Sequence, residues 1–197
     1  MGTEIAIVVG RGPSLISYKL GSWIDSNETV VRMSNGRYNK DYGHKIDYLL
    51  FARTDIATLY KLDLSKLKGF WFYRAQGKGA ITTDKEWVEY EDTIRKECNY
   101  TGKIIHINSI IGRWLDLYKE IAKPLNQKNH PHVTYPSKGT AGALMAIETF
   151  KPKVLHLLGL DNVVAGKRTY TCHDFSAELK VIKEAAERYS VEIMWPI

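Results

Sequence analysis

The sequence predicts a doubly wound α/β fold, in which helices cover both faces of one mainly parallel sheet. Two observations predict it. Short apolar, β-branched or aromatic runs alternate with longer amphipathic stretches, and the short runs are apolar throughout, which is typical of strands buried on both faces. No composition shift or linker divides the chain, so residues 1–197 are expected to form a single domain with one sizeable core.

The predicted elements alternate along the whole chain. The strands are EIAIVV, TVVRM, DYLLFA, GFWFYRA, KIIHI, KVLHLLG and VEIMW. The helices are SLISYKLGSWI, DKEWVEYEDTIRKEC, SIIGRWLDLYKEIA, GTAGALMAIETF and DFSAELKVIKEAAERYS. Ligands of such sheets bind beyond the carboxyl ends of the strands, where the strand order reverses. The expected site is therefore built from the loops that follow Val9, Met33, Ala52, Tyr135 and Gly159.

The charge of the chain narrows the class of partner. It carries 28 Lys and Arg residues against 22 Asp and Glu residues, a formal net charge of +6. A positive excess attracts anionic ligands or nucleic acid, but here the basic residues are scattered and form no stripe. We therefore favour a plain solvated surface or a small anionic ligand, and nucleic acid stays open as the weaker alternative.

Neither the cysteines nor the apolar runs indicate a secreted or membrane-spanning chain. Cys98 and Cys172 match no metal-binding spacing and no disulfide framework. No apolar stretch approaches the length of a membrane span, and the N-terminal apolar run is too short for a signal-peptide core. We expect a soluble, cytoplasmic protein, unless a targeting segment has been removed from the sequence.

The turn VVGRGPSL, after the first predicted strand, is the first candidate site. Gly10-Arg11-Gly12 supplies two glycines of the Rossmann dinucleotide fingerprint, but Leu15 stands at the third glycine position. The acidic residue of that fingerprint is also absent after the second strand, where Arg32 would suit the 2′-phosphate of NADP. An NADP oxidoreductase and a tight turn without a ligand both remain alternatives.

Four segments together resemble the sialyltransferases. VVGRGPSL and VVRMSNGRYNKDYGHK are similar to the large sialyl motif, whose final Asp-x-Gly-x-Lys is matched by Asp41, Gly43 and Lys45. YPSKGTAGALMAIETFKPKVLHLLGLD is similar to the small motif, and HDFSAE to the short His-x4-Glu motif. The small bacterial sialyltransferases show a similar layout. The resemblance spans Ile5 to Trp195, with a dissimilar middle, and implies a Rossmann-like, GT-A-like glycosyltransferase domain.

The resemblance implies a binding site for a nucleotide-sugar donor. Glycine turns and helix starts supply backbone N–H groups to phosphates, which fits the turn after the first strand. The small residues at the start of GTAGALMAIETF suggest close approach of a ligand there. The expected donor-binding residues are Gly10, Arg11, Gly12, Ser14, Arg32, Ser34, Asn35, Arg53, Ser137, Thr140, Ala141, Gly142, Asp161, Arg168 and Tyr170.

Three departures from the family pattern concern the donor. The first turn of the family usually reads Gly-Asn-Gly, and Arg11 replaces its asparagine. In the second motif Ser34 replaces an asparagine, with Asn35 one place late, and Arg53 stands near an asparagine of the bacterial relatives. Arginine binds phosphate and carboxylate through a planar fork. CMP-sialic acid, a related CMP-linked keto-sugar acid and a different nucleotide sugar are therefore all open as donors.

No metal site and no cofactor are expected. The chain has neither Asp-x-Asp nor a metal-binding His/Cys spacing. The resemblance implies the same, because CMP-sugars leave as a single phosphate. Lys167, Arg168 and Tyr170 are candidates to meet the charge of that phosphate. Tyr170 lies near a phosphate-binding tyrosine of the bacterial relatives, whereas a solvated basic loop is the alternative for Lys167 and Arg168.

His173 is the candidate catalytic residue among six histidines. It matches the family's short motif, and an ordinary imidazole is receptive to protons at neutral pH, as a general base must be. The structural alternative is that it caps the last helix. Glu178, at the other end of the motif, is expected either to orient a neighbour or to face water.

The expected function is inverting, metal-independent transfer of an acidic sugar, with CMP-sialic acid as the expected donor, to a glycan hydroxyl. The alternatives are a transferase for another nucleotide sugar or for a non-glycan acceptor such as nucleic acid, a non-catalytic nucleotide-binding domain, and the NADP oxidoreductase. A homo-oligomer also stays open, because the short chain leaves little material for a lid over the acceptor.

Overall fold

The computed structural model describes residues 3–33, 40–52, 59, 62–74, 84–122, 135–165 and 173–195. Within these ranges seven strands form one sheet, and each neighbouring pair is parallel. The strands are β1 (Ile5–Val9), β2 (Thr29–Met33), β3 (Tyr48–Phe51), β4 (Gly69–Phe72), β5 (Ile104–His106), β6 (Val154–Leu158) and β7 (Glu192–Met194). The predicted single α/β architecture with a parallel sheet is confirmed.

Helices follow most of the strands. They are α1 (Ser14–Tyr18), α2 (Gly21–Ser26), α3 (Asp84–Glu97), α4 (Gly112–Ile121), α5 (Lys138–Phe150), α6 (Asp161–Val164) and α7 (Phe175–Tyr189). Short 3-10 helices lie at Leu64–Lys66 and Ile107–Ser109. None of the described helices combines the length and the apolarity that a membrane span requires.

The strand order β5-β4-β3-β2-β1-β6-β7 reverses at β1. The chain builds outward from β1 through β2 to β5, and then returns to the other side of β1 with β6. In the β1–β6 register, Val9 lies beside Leu158, so both strands end at the same level. Gly10 and Gly159, which follow these two strands, are thereby brought together at the edge where ligands of doubly wound sheets bind.

Apolar helices cover both faces of the sheet. Helices α4, α5 and α7 pack on one face, against residues such as Val8 and Val31. Helices α1 and α2 pack on the other face against Ile7 and Val30, and α3 covers Phe70 beside them. Each fully buried large apolar side chain contributes about 1.5–3 kcal/mol. This packing holds the carboxyl edge of the sheet as a rigid platform.

One predicted helix is broken in the structure. The stretch SLISYKLGSWI forms two helices, because Lys19 adopts a left-handed conformation with φ of 47° and ends α1. The second helix, α2, begins at Gly21, where a Cβ would overlap the carbonyl oxygen of Lys40. Both parts of this stretch are helical, as predicted. They are separate helices because the backbone of α2 packs closely on the segment at Lys40.

Candidate functional site

A cleft of about 740 Å³ opens beyond the carboxyl ends of β1 and β6, where the strand order reverses. Its volume lies within the range of about 300–1,000 Å³ that is typical of small-molecule sites. Three of the expected loops contribute to its walls, namely those after Val9, Tyr135 and Gly159. His173 and Phe175, just before and at the start of α7, complete the lining.

The glycine turn after β1 binds the turn after β6 rather than presenting its backbone to a ligand. The N–H of Gly10 donates to Leu158 O at 2.7 Å, and the N–H groups of Arg11 and Gly12 donate to Gly159 O at 3.1 and 2.7 Å. A Cβ on Gly10 would lie 2.5 Å from Gly159 O. These N–H groups are thus used within the protein, whereas all three residues line the cleft, and their contact with a donor stays a prediction.

Asp161 places a carboxylate against the same turn. It is the first residue of α6, and its Oδ2 accepts a hydrogen bond from the N–H of Ser14 at 3.4 Å. A Cβ on Gly12 would overlap this oxygen. An anionic group of the protein thus occupies the start of α1, which is where a helix favours negative charge. Like charges repel, so we expect a bound phosphate to lie in another part of the cleft.

Two cationic side chains line the cleft. Arg11 is exposed on the wall formed by the first turn, and Lys138 is half-buried at the first position of α5. The sequence analysis missed Lys138. A lysine at the start of a helix opposes the helix dipole, so a nearby anionic group would offset this cost. Together these cations give the cleft positive charge that Asp161 only partly offsets.

Arg32 lies in the core and not in the cleft. Its side chain is 1% exposed, and its Nε and Nη2 donate to the carbonyl oxygens of Lys45 and Tyr42, both at 2.7 Å. Asp25 braces the same segment by accepting from the N–H of His44 at 2.8 Å. These contacts do not favour a role of Arg32 toward a donor or toward the 2′-phosphate of NADP, and both roles stay predictions.

The small residues at the start of α5 serve packing rather than ligand approach. Thr140, Ala141 and Gly142 are buried beneath the cleft and do not line it. A Cβ on Gly142 would lie 2.8 Å from Met33 Cε, so glycine here lets the helix approach the sheet. The cleft is lined by the residues that precede them, Ser137 to Gly139, and the contact of these three residues with a ligand stays a prediction.

Ser137 reaches the cleft, but its polar groups are used inside the protein. It caps α5, its N–H donates to Glu178 Oε1 at 2.9 Å, and its hydroxyl donates to Glu178 Oε2 at 2.6 Å. The hydroxyl of Thr140 donates to the same carboxylate. The predicted substrate-binding serine is thus an anchor for a buried acid, which ties the start of α5 to α7.

His173 lines the cleft beside this buried acid. Its Nδ1 lies 3.4 Å from Glu178 Oε1, and its side chain is 30% exposed while that of Glu178 is fully buried. The residue that caps α7 is Asp174, whose side chain accepts from the N–H of Ala177 at 3.2 Å. The structural alternative for His173, helix capping, is therefore wrong, and so is the alternative that Glu178 faces water.

The environment of Glu178 makes it the most perturbed acid near the cleft. Burial raises the pKa of Glu178 to about 7, although the hydrogen bonds from Ser137 and Thr140 act in the opposite direction. The sequence carried a signal for this burial. Glu178 follows Phe175 by three residues and precedes Ile182 by four, which places it on the apolar face of α7.

Several expected site residues lie outside the described part of the chain. They are Ser34, Asn35, Arg53, Lys167, Arg168 and Tyr170. Within the described part, no group of three His, Cys, Asp or Glu residues is arranged to hold a metal ion. The described side chains around the cleft offer a histidine beside a buried carboxylate. They also offer two cations and one further carboxylate.

Comparison with known proteins places this cleft in a familiar fold. Solved structures that match include a crystal structure of a mammalian sialyltransferase, at 20% identity and a TM-score of 0.60. A crystal structure of a mammalian sialyltransferase in complex with Gal-β-1-3GalNAc-ortho-nitrophenol matches at 19% identity and a TM-score of 0.58. Each match covers 98% of this chain and 69% of the other. The chain has the sialyltransferase fold.

The fold that the four sequence motifs implied is thereby confirmed over nearly the whole chain. No protein-family model matches the sequence. No curated protein sequence matches it either. The similarity to sialyltransferases therefore rests on the three-dimensional structure and on short sequence motifs.

Proposed function

We propose that the chain is an inverting glycosyltransferase of the sialyltransferase type. It moves an acidic sugar from a CMP-sugar, with CMP-sialic acid as the donor, to a glycan hydroxyl, and it needs neither metal nor cofactor. The observation that carries the proposal is His173, on the wall of the switch-point cleft with its Nδ1 against the buried carboxylate of Glu178. The sialyltransferase fold supports the same class of reaction.

The reaction needs one base and one anion-stabilising group. The acceptor oxygen forms a bond to the anomeric carbon, and the bond from that carbon to the phosphate oxygen breaks, so CMP leaves with the electron pair. The acceptor proton passes to the imidazole of His173. Attack from the side opposite to the leaving phosphate inverts the configuration. Arg11 and Lys138, which line the cleft, meet the charge that develops on the phosphate.

The charge of the cleft supports a doubly anionic donor. A CMP-linked keto-sugar acid carries one negative charge on its phosphate and a second on its carboxylate. Arg11 and Lys138 line the cleft and can meet these two charges, while the carboxylate of Asp161 partly offsets them. CMP-sialic acid and other CMP-linked keto-sugar acids share this charge pattern, so the latter are the second candidate donors.

Calorimetry and a transfer assay test the proposal together. CMP, UDP and NADP are titrated separately into the protein, and CMP is expected to bind most tightly. CMP-sialic acid is then incubated with Gal-β-1-3GalNAc-ortho-nitrophenol, the ligand of one similar structure, and a product heavier by one sialyl residue is expected by mass spectrometry. Tighter binding of NADP or UDP than of CMP would contradict the proposal. CMP binding without transfer to any glycan would favour a non-catalytic nucleotide-binding domain.

A further inference from the structure

The carboxylate of Glu178 is the most completely enclosed charged group near the cleft. It lies on the inner face of α7 with no exposure, and three donors converge on it: the N–H and the hydroxyl of Ser137, and the hydroxyl of Thr140. Burial of a carboxylate costs several kcal/mol unless hydrogen bonds offset it. Two hydroxyl groups and one backbone N–H from α5 are therefore committed to a single acid.

The helix itself does not require this acid. Asp174 already caps α7, and apolar residues such as Val181 and Ile182 pack the helix against the core. A half-buried glutamate, also paired with Arg113, shows what a purely structural acid looks like in this protein. Glu148 of α5 accepts from Trp114 Nε1 at 2.6 Å and from the hydroxyl of Tyr189 at 2.8 Å, away from the residues that line the cleft.

Glu178 differs from Glu148 because one of its oxygens faces the candidate base. Oε1 lies 3.4 Å from Nδ1 of His173. That nitrogen is buried, whereas the His173 side chain as a whole is 30% exposed, so the exposed part of the ring lies away from Glu178. The imidazole thus has one edge against a carboxylate and the rest of the ring toward the cleft that it lines.

We infer that Glu178 is the positioning residue of His173, which it holds in the tautomer and orientation that present Nε2 to the acceptor hydroxyl. This inference rests on the proposed function. A carboxylate beside Nδ1 favours the proton on that nitrogen and leaves the lone pair on Nε2. When Nε2 takes the acceptor proton, the same carboxylate stabilises the imidazolium that forms.

The hydrogen-bond donors at the start of α5 hold the carboxylate of Glu178 in this position. Ser137 and Thr140 fix both oxygens of Glu178, so the carboxylate cannot rotate away from the imidazole. Their hydrogen bonds also favour its ionised form against the burial that raises its pKa. Asp174 at the start of α7 and Tyr73 after β4 are further titratable groups that interact with this acid, and Tyr118 and Tyr135 lie near Tyr73 in turn.

The test compares Glu178→Gln with Glu148→Gln in the whole protein. Glutamine keeps the size and an acceptor oxygen but removes the charge. Two readouts are taken: kcat and KM for CMP-sialic acid, and the ¹⁵N spectrum of the imidazoles, in which His173 is identified by its loss in His173→Ala. We expect Glu178→Gln to lower kcat about 100-fold with KM within about two-fold. We expect the pKa of His173 to fall in this variant, and Glu148→Gln to change neither readout.

The spectrum of the wild-type protein tests the inference without any variant. Neutral His173 is expected to carry its proton on Nδ1, and a predominant Nε2–H tautomer would overturn the inference even if Glu178→Gln fails to fold. An unchanged pKa and tautomer of His173 in folded Glu178→Gln would also overturn it. These readouts need no substrate, so they separate this inference from the proposed function, which fails independently if wild-type protein neither binds CMP nor transfers a sugar.

Discussion

The carboxylate of Asp161 occupies the space that a side chain on Gly12 would need. The two residues are far apart in the sequence, but Asp161 Oδ2 accepts from the N–H of Ser14 and lies where a Cβ on Gly12 would stand. The second glycine of the first turn is therefore required by a neighbouring acid of the same chain. The glycine in the sequence indicated that another group lies close to the backbone at this position. In the structure that group is the side chain of Asp161.

Gly12→Ala is expected to destabilise the protein by about 1–3 kcal/mol, because the new methyl group must displace either Asp161 or the turn after β6. Urea unfolding gives the free energy directly. The matched control is Gly112→Ala at the start of α4, where a Cβ would meet nothing within 4 Å and the change should stay within about 1 kcal/mol. Equal stability of the two variants would contradict the overlap.

Removal of either cleft cation is expected to weaken binding of CMP-sialic acid. Arg11→Ala and Lys138→Ala should each raise its Kd about ten-fold, since both residues line the cleft but remain partly in contact with solvent. Calorimetry at low and high salt measures the effect, which should shrink as salt increases. Lys151→Ala, at the other end of α5, is the control and should leave Kd unchanged. If all three variants bind like wild type, the phosphate lies elsewhere.

Chelation is expected to leave transfer intact. The leaving CMP can be stabilised by side-chain cations, and the described part of the chain offers no cluster of metal ligands. Initial rates are compared with and without EDTA, and then after addition of Mg²⁺ or Mn²⁺. Loss of activity with EDTA that either metal restores would refute metal-independent transfer.

His173→Ala is expected to reduce kcat by about 10²- to 10⁴-fold, the contribution of a general base. The Kd of CMP and the melting temperature should stay close to wild type, because Asp174 and not His173 caps α7. Rate assays, calorimetry and thermal unfolding measure the three quantities. Transfer at the wild-type rate would exclude His173 from the mechanism, whereas loss of CMP binding would make it a phosphate ligand instead.

The stability of the fold is expected to depend on the pH through Glu178. Burial raises its pKa from the ordinary value of about 4.5 to about 7, so the folded state holds a proton that the unfolded chain releases in this window. The stability from this group is fully present below about pH 4.5 and is lost as the pH rises through about 7.

Between pH 5 and pH 8 the wild type should therefore lose more unfolding free energy than Glu178→Gln, by about 1 kcal/mol or more. Urea unfolding of both proteins at the two pH values gives the comparison. Parallel losses in the wild type and the variant would show that Glu178 ionises normally. Glu148→Gln, at the half-buried glutamate of α5, is the control and should lose stability with pH as the wild type does.

The strands of this fold could be predicted from the sequence because each depends on a local pattern. The run Ile5–Val9 is apolar at every position, and burial on both faces of a parallel sheet requires just that composition. The break between α1 and α2 could not be predicted in the same way. It depends on the close approach of Gly21 to the backbone near Lys40. The hydrophobic periodicity of a helix carries no information about such a contact between distant segments.

The position of the candidate site could be predicted from the sequence, but the contacts within the site could not. The loops after Val9 and Gly159 meet as expected, yet their N–H groups and carbonyls bind one another. Arg32 was expected in the cleft because an arginine at a strand end suits a phosphate, whereas the carbonyls of Tyr42 and Lys45 satisfy it inside the protein. Which partner a polar group meets depends on distant segments, and their arrangement is not encoded in a local motif.

The position of β6 beside β1 has a consequence for how the protein forms. During synthesis β1 emerges first and gains β2 as a neighbour after about twenty residues, but its second neighbour, Val154–Leu158, is made far later. Until then β1 is an exposed sheet edge, and such edges pair with other chains. Contacts this distant in sequence also close slowly. The nascent chain therefore carries an aggregation-prone strand until β6 has been made, and the cleft forms only when β6 docks against β1.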